Sequence, residues 1–214
     1  MLELDKIGLN YGTDKSSKLH NYLCFYERSL DQYSNKQFTL MELGVGPENN
    51  KGKSLLTWRD FFPMAQIVGV DIRPDAKDVE TDRIKVEIGD CGNPTFLSQL
   101  GVKYAPMIII DDASHRWSHQ IISFESLFPH VPSGGIYLCE DLGTSFPPAS
   151  DKKAWSDHHE DAVNYFLRMV SLSIGGGISN HSSDQHLVSA TQKALSKMIS
   201  EVVAFKGIVG FIKK

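Results

Sequence analysis

Short apolar runs alternate with amphipathic segments along most of the chain. Five runs have the composition of buried strands, at residues 38–44, 65–72, 83–90, 106–112 and 134–141. The segments between them carry helical periodicity at 54–62, 94–100 and 117–128. Alternation of this kind predicts an α/β fold in which helices cover a mostly parallel sheet.

The two ends of the chain have a different pattern. Residues 16–30 predict a helix with Leu19, Leu23 and Leu30 on one face, and residues 154–172 predict a longer amphipathic helix. The glycine- and serine-rich stretch 173–184 predicts a turn. Two apolar runs, 199–205 and 208–214, are separated by Lys206 and Gly207 and predict a closing β-hairpin. The sheet would then have seven strands.

Length and composition narrow the class of protein. A chain of 214 residues predicts a single domain over 1–214. Its net charge of −4 argues against a nucleic-acid partner, and it has no apolar run long enough for a membrane span. The first residues lack a signal-peptide pattern, so we expect a cytoplasmic location. Cys24, Cys91 and Cys139 lie far apart, and we expect buried thiols rather than disulfides.

A glycine-rich loop follows the first strand. Gly44 and Gly46 let the chain turn sharply and let a ligand approach the backbone. The later Gly-Lys-Ser resembles the end of a phosphate-binding loop, but Pro47 stands where that loop needs its first glycine, which argues against a P-loop NTPase. Asn49 replaces the third glycine of a dinucleotide site, which weakens the case for NAD.

Acidic residues at the ends of the next strands support a different cofactor. Asp71 ends the second strand, where a carboxylate can accept hydrogen bonds from both hydroxyls of a ribose. Asp90 ends the third strand, where it could accept a hydrogen bond from an adenine amino group. Either acid taken alone is commonly a solvated strand end. Together with Glu42, Gly44 and Gly46 they predict a site for S-adenosylmethionine (SAM), whose binding needs no phosphate cradle.

A second group of polar residues follows the fourth and fifth strands. Asp112, Glu140 and Asp141 would bring three carboxylates to one sheet edge, and their repulsion is relieved by a hard cation such as Mg²⁺. The alternative is that each carboxylate separately caps a loop. His115 follows in the same loop as Asp112, and histidine, with its ordinary pKa of about 6.5, suits a general base near neutral pH.

Other features near these strands have weaker interpretations. His115 and His119 have the spacing of zinc ligands on a helix but lack the accompanying glutamate. The histidines at 158 and 159 open a predicted helix and are most simply exposed. The loop at 142–155 contains Pro147 and Trp155, which suit a lid or a wall of an acceptor site, although a plain surface loop is equally compatible.

These motifs together resemble the class I SAM-dependent methyltransferases. The stretches IGLNYGTDKSSKLHNYLCFYE, ELGVG, VGVDIRPD, GDCGNPTFL, IIIDDASH and FPHVPSGGIYLCEDLGTS resemble in particular the metal-dependent sugar O-methyltransferases of antibiotic biosynthesis. One departure is Ala113, where that family usually has glycine.

The resemblance implies a Rossmann-like fold with an antiparallel last strand and helices on both faces. It implies that residues 1–35 form a helical cap over the cofactor site. The residues it implies for SAM are Thr13, Lys15, Glu42, Gly44, Gly46, Asp71, Asp90 and Asp111; those for Mg²⁺ are Asp112, Glu140 and Asp141. His115 would be the general base.

The implied reaction is methylation of a hydroxyl on a sugar or glycosylated small molecule. A homo-oligomer is possible, and no nucleic acid or membrane is expected as a partner. Two alternatives stay open: a catechol-like acceptor, which also presents oxygens to Mg²⁺, and a non-catalytic SAM-fold protein that acts as a partner of others.

Overall fold

The computed structural model describes residues 2–148, 152–175 and 188–214. The chain divides into two compact units, Met1–Asp90 and Cys91–Lys214. The strand order across its seven-stranded sheet is β3-β2-β1-β4-β5-β7-β6. This topology confirms the predicted Rossmann-like sheet, since β7 runs antiparallel to both of its neighbours.

The first unit contains a parallel three-stranded part of the sheet and three helices. Its strands are β1 (Thr39–Leu43), β2 (Gln66–Asp71) and β3 (Ile84–Ile88), and its helices are α1 (Glu3–Tyr11), α2 (Leu23–Leu30) and α3 (Lys53–Phe61). The pairing places Leu43 beside Val70 and Asp71 beside Ile88. Strands β1 and β2 are buried on both faces, which explains their continuous apolar runs.

The second unit contains four strands and five helices among the described residues. The strands are β4 (Ile108–Asp111), β5 (Ile136–Cys139), β6 (Ile199–Phe205) and β7 (Ile208–Lys213). The helices are α4 (Pro94–Tyr104), α5 (Trp117–Leu127), α6 (Lys152–Trp155), α7 (Ala162–Ile174) and α8 (Ala190–Ser196). Phe124 lies at the centre of the core, in ring contact with Phe128, Tyr137, Phe166 and Phe211.

Capping residues fix where several of these helices begin. The Asn93 side chain accepts the Phe96 N–H at the start of α4, where Pro94 has no N–H to leave unsatisfied. Asp161 caps α7 in the same way, and Ser189 forms a capping box with Gln192 at α8.

The structure corrects two of the predicted helices. Residues 16–22 form turns, so the helix predicted at 16–30 starts only at Leu23, and Leu19 is 68% exposed. The helix predicted at 154–172 is two helices, α6 and α7, because the polar residues 156–161 interrupt it and Asp161 starts a new helix. Helix α8 was not predicted, and α1 was expected only as part of the helical N-terminal segment that the resemblance implied.

Several other predictions can be checked in the described residues. The five central strands and the closing hairpin are confirmed. The turn predicted at 173–184 falls largely on 176–187, outside the described residues. All three cysteines are free, but Cys24 is only half-buried, contrary to prediction. A single domain over 1–214 with a helical cap over 1–35 stays a prediction. Within the described ranges, each helix is too short or too polar to cross a bilayer.

Candidate functional site

The glycine-rich loop after β1 adopts a conformation that only glycine takes up easily. Gly44 and Gly46 both have positive φ, 93° and 88°. The Gly44 N–H donates to the Val70 carbonyl over 2.7 Å, which ties the loop to β2. A Cβ on Gly46 would lie 3.1 Å from the Asn50 carbonyl oxygen, so a side chain there would press on the loop itself.

Asp71 lies at the end of β2 beside this loop. Its Oδ2 accepts the Val45 N–H over 3.1 Å, and its Oδ1 accepts the Arg73 N–H over 2.9 Å. Burial opposes ionisation of Asp71, but hydrogen bonds from the Arg73 guanidinium and from these two amides outweigh it and lower its pKa. Asp90 follows β3 in the same unit and is exposed.

Three of the residues assigned to the cofactor lie in the interior of the first unit. The Glu42 Oε2 accepts hydrogen bonds from the Ser54 hydroxyl at 2.8 Å and the Trp58 indole N–H at 2.9 Å. Its Oε1 lies 3.6 Å from the Nζ of Lys15, which is buried, as is Thr13. These contacts join α3 and the 12–15 segment to β1, so Glu42 and Lys15 hold the shape of the loop region.

A cleft of about 420 Å³ opens in the first unit next to these residues. One side is the N-terminal Gly-Thr-Asp segment, and the other is the loop that continues from Gly46. The cleft is lined by Leu9, Gly12, Thr13, Asp14, Ser16, Lys18, Leu19, Pro47, Asn49, Asn50 and Lys53. Sequence reasoning missed Lys53 as a lining residue, although the Gly-Lys-Ser tripeptide had drawn attention to it.

The second unit brings together Asp112, His115 and Asp141. One ligand atom from each of the three lies within 4.8 Å of the others. The His115 Nε2 is 3.5 Å from Asp141 Oδ2 and 3.9 Å from Asp112 Oδ1. All three side chains are half-buried, which leaves the cluster open to a ligand.

The backbone is strained at two members of this cluster. His115 and Asp141 have φ of 55° and 53°, in the left-handed region that residues other than glycine rarely adopt. Such outliers persist only where surrounding contacts hold them, and they concentrate at functional sites. Thr144 provides those contacts: its hydroxyl lies 3.1 Å from both the His115 and the Asp141 carbonyl oxygens, and its own carbonyl accepts the Trp117 indole N–H.

Asp111 and Glu140 are the residues next to Asp112 and Asp141 in sequence, and both are buried. Asp111 is 3% exposed, and its Oδ2 accepts the Tyr137 hydroxyl over 2.7 Å. Burial raises its pKa to about 7, although the hydrogen bonds from Tyr137 and Ala113 act in the opposite direction. Glu140 is buried and is not in the group of close ligand atoms found among the described residues.

The donor set fits Mg²⁺ in part. Asp112 and Asp141 offer the carboxylate oxygens that this ion prefers, and one oxygen of each lies within 4.8 Å of the other. The imidazole of His115 is a less usual ligand for Mg²⁺ than for zinc. The two aspartates are the members of this cluster that would hold the ion, and Glu140 as a third ligand stays a prediction.

The remaining histidines and the 142–155 loop have more ordinary surroundings. The His119 Nδ1 is 2.8 Å from the Ser114 hydroxyl, and the rings of His158 and His159 lie against each other. The Trp155 ring centre is 6.2 Å from that of His115. Residues 149–151 of the loop lie outside the described residues, so its role as a lid stays a prediction.

No model of a known protein family matches the sequence. The chain is 39% identical over 150 residues to mycinamicin VI 2''-O-methyltransferase of Micromonospora griseorubida. It is 37% identical over 150 residues to demethylmacrocin O-methyltransferase of Streptomyces fradiae. Each alignment covers 68% of this chain, but only 37% and 38% of the respective relative.

A solved structure of one such methyltransferase has a similar fold over nearly the whole chain. The MycE methyltransferase of the mycinamycin pathway, solved with Mg, SAH (S-adenosylhomocysteine) and mycinamycin VI, superposes with a TM-score of 0.81 at 28% identity. The match covers 99% of this chain and 54% of that one. The chain belongs to the class I SAM-dependent methyltransferases. It spans about two fifths of the length of these curated relatives and about half of the MycE chain.

Proposed function

We propose that the protein transfers the methyl group of SAM to a hydroxyl of a sugar or glycosylated small molecule, with Mg²⁺ as a second cofactor. The observation that carries the proposal is the cluster of Asp112, His115 and Asp141, held on strained backbone, in a chain similar to sugar O-methyltransferases. The relatives' names supply the class of acceptor, and MycE, solved with Mg and SAH, supports both cofactors.

The first unit would bind the cofactor. The glycine loop allows close approach of a ligand to the backbone at Gly44 and Gly46. Asp71 stays ionised and can accept the hydroxyls of a ribose, and the next residue, Ile72, exposes an apolar surface on which an adenine could lie. Lys15 and Glu42 act from the interior by fixing the cleft wall.

The second unit would activate the acceptor. Mg²⁺ bound by Asp112 and Asp141 would supply a Lewis acid that makes the acceptor hydroxyl more acidic. Nε2 is the His115 nitrogen on the side of the two carboxylates, and we assign the acceptor proton to it.

A screen of acceptors tests this function. The protein is incubated with methyl-labelled SAM, Mg²⁺ and sugar nucleotides, glycosylated metabolites or catechols, and methylated products are identified by mass spectrometry. We expect product from one of the two sugar classes and its loss in Asp112→Asn. The matched control is Asp31→Asn, which removes an exposed carboxylate distant in sequence from Asp112; this variant should keep full activity. Product from none of the sugars would refute the proposal.

One observation favours a catechol-like acceptor as the second candidate. The Trp155 ring lies near His115 and is half-buried, as expected of one wall of an aromatic slot. Methylation of catechols but not of sugars in the same screen would select this alternative. A cytoplasmic location and a homo-oligomeric state stay predictions.

A further inference from the structure

The Arg73 side chain covers the carboxylate of Asp71. The Arg73 Nε donates to Asp71 Oδ1 over 3.1 Å, and its Nη2 donates to Asp71 Oδ2 over 3.3 Å. The same Nη2 also donates to the Gly46 carbonyl in the glycine loop. One guanidinium therefore joins the end of β2 to the loop that follows β1.

With these bonds the acceptor capacity of Asp71 is full. A carboxylate has about four acceptor positions, two on each oxygen. Backbone amides take one position on each oxygen: the Val45 N–H on Oδ2 and the Arg73 N–H on Oδ1. The guanidinium takes the other position on each. A ligand that donates hydrogen bonds to Asp71 must therefore displace one of these groups.

The guanidinium is the group that can leave. The two amides belong to the backbone at the ends of β1 and β2, whereas the Arg73 side chain is 36% exposed. Its two N–H groups reach one oxygen each, which is also how the two hydroxyls of a vicinal diol donate to a carboxylate. The carboxylates of Asp75 and Glu48 attract the same guanidinium, so it can pair with them when it leaves Asp71.

We propose that Arg73 is a displaceable placeholder for the ribose diol of the cofactor. The inference rests on the proposed function, because it takes a nucleoside as the ligand of Asp71. In the free protein the arginine keeps Asp71 ionised and the Gly46 carbonyl in place. Binding of the nucleoside exchanges the guanidinium for the diol. Because the bonds of Arg73 to Asp71 must first be broken, Arg73 lowers the affinity of the protein for the cofactor.

Calorimetry with SAH tests the exchange. The variants are Arg73→Gln, which removes the guanidinium but not the backbone N–H, and Lys77→Gln, which removes an exposed positive charge from the same segment. Breaking a half-exposed ion pair costs free energy that lowers a binding constant by up to about fivefold. We therefore expect Arg73→Gln to bind SAH about two- to fivefold more tightly than the parent, and Lys77→Gln to be unchanged.

A pair of nucleosides separates the diol from the rest of the ligand. Arg73→Gln should tighten binding of adenosine by the same factor, and should leave 2′,3′-dideoxyadenosine, which has no diol, unaffected. Weaker SAH binding in Arg73→Gln, or equal tightening with the dideoxy compound, would overturn the placeholder and leave the cofactor assignment intact. Failure of the parent protein to bind SAH at all would overturn the cofactor assignment as well.

Discussion

Replacing Asp111 with asparagine should stabilise the protein at alkaline pH and change its stability little in acid. The carboxyl group is fully buried against Tyr137, and its pKa in the folded protein is about 7, compared with an ordinary value of 3.8. Burial is the largest cause, and the nearby charge of Asp112 adds to it. Asparagine has the same shape and can keep a hydrogen bond with Tyr137, but it cannot ionise.

The direction in which stability changes with pH follows from the pKa of Asp111 in the folded protein and in the unfolded chain. Below about pH 4 the group is protonated in both states and does not affect folding. Between about pH 4 and pH 7 the unfolded chain loses the proton while the folded protein keeps it, so the free energy of unfolding falls as pH rises. Above pH 7 the full penalty applies. A difference of about 3 pKa units corresponds to about 4 kcal/mol, of which an imperfectly paired amide would cancel about 1 kcal/mol.

Urea unfolding of the parent and of Asp111→Asn, in EDTA, measures this directly. The free energy of unfolding of the variant, relative to that of the parent, should be about 3 kcal/mol higher at pH 8 than at pH 5, because about 1.5 kcal/mol of the ionisation penalty is already present at pH 5 and the cost of the amide is the same at both. Asp31→Asn, at an exposed carboxylate, should show no such pH dependence. If the stability difference between Asp111→Asn and the parent is the same at both pH values, Asp111 does not carry a raised pKa and the reasoning is refuted.

Three further predictions concern the loops and the cluster. Thr144→Val should lower kcat and leave SAH binding unchanged in calorimetry, because it frees the strained loops of His115 and Asp141, while Thr144→Ser should retain activity. Glu42→Gln should lose about 3–5 kcal/mol in urea unfolding, because it removes the negative charge that lies 3.6 Å from the buried Lys15 Nζ; equal stability of parent and variant would contradict this. His115→Ala should lose about 10²–10⁴-fold in kcat, with a residual rate that rises with pH as hydroxide replaces the base; His20→Ala is its control.

The sheet and its loops could be predicted from sequence because each strand carries its own signal. The run at Leu40–Leu43 is buried on both faces and is followed at once by Gly44, so both the strand and its end are local properties. The acids at 71, 112 and 141 lie at the end of a strand or within two residues of it, and the parallel order of β4 and β5 brings the last two to one edge.

The groups that complete these sites could not be predicted in the same way. Thr144 is 29 residues from His115 in sequence, and only the folded loops place its hydroxyl against that carbonyl. Arg73 belongs to a polar turn and gives no signal until the Gly46 carbonyl is seen beside it. Asp111 is buried whereas the next residue, Asp112, is half-buried, because adjacent residues at the end of a strand turn opposite ways.

Dependence on tertiary contacts also explains why the helix predicted at 16–30 starts only at Leu23. The apolar spacing of Leu19, Leu23 and Leu30 is helical, but the Lys15 carbonyl accepts the N–H groups of Tyr22 and Leu23 and folds the preceding residues back as turns. That arrangement depends on the burial of Lys15 beside Glu42, which is a tertiary contact.

The central claim is methyl transfer from SAM to a sugar hydroxyl that depends on a divalent cation held by Asp112 and Asp141. The most direct measurement is the rate of labelled-methyl transfer to the best glycoside from the screen, first in EDTA and then after Mg²⁺ is restored in excess. We expect loss of turnover in EDTA, full recovery with Mg²⁺, and no recovery in Asp141→Asn while SAH still binds. Undiminished turnover of the EDTA-treated protein on that glycoside would contradict it.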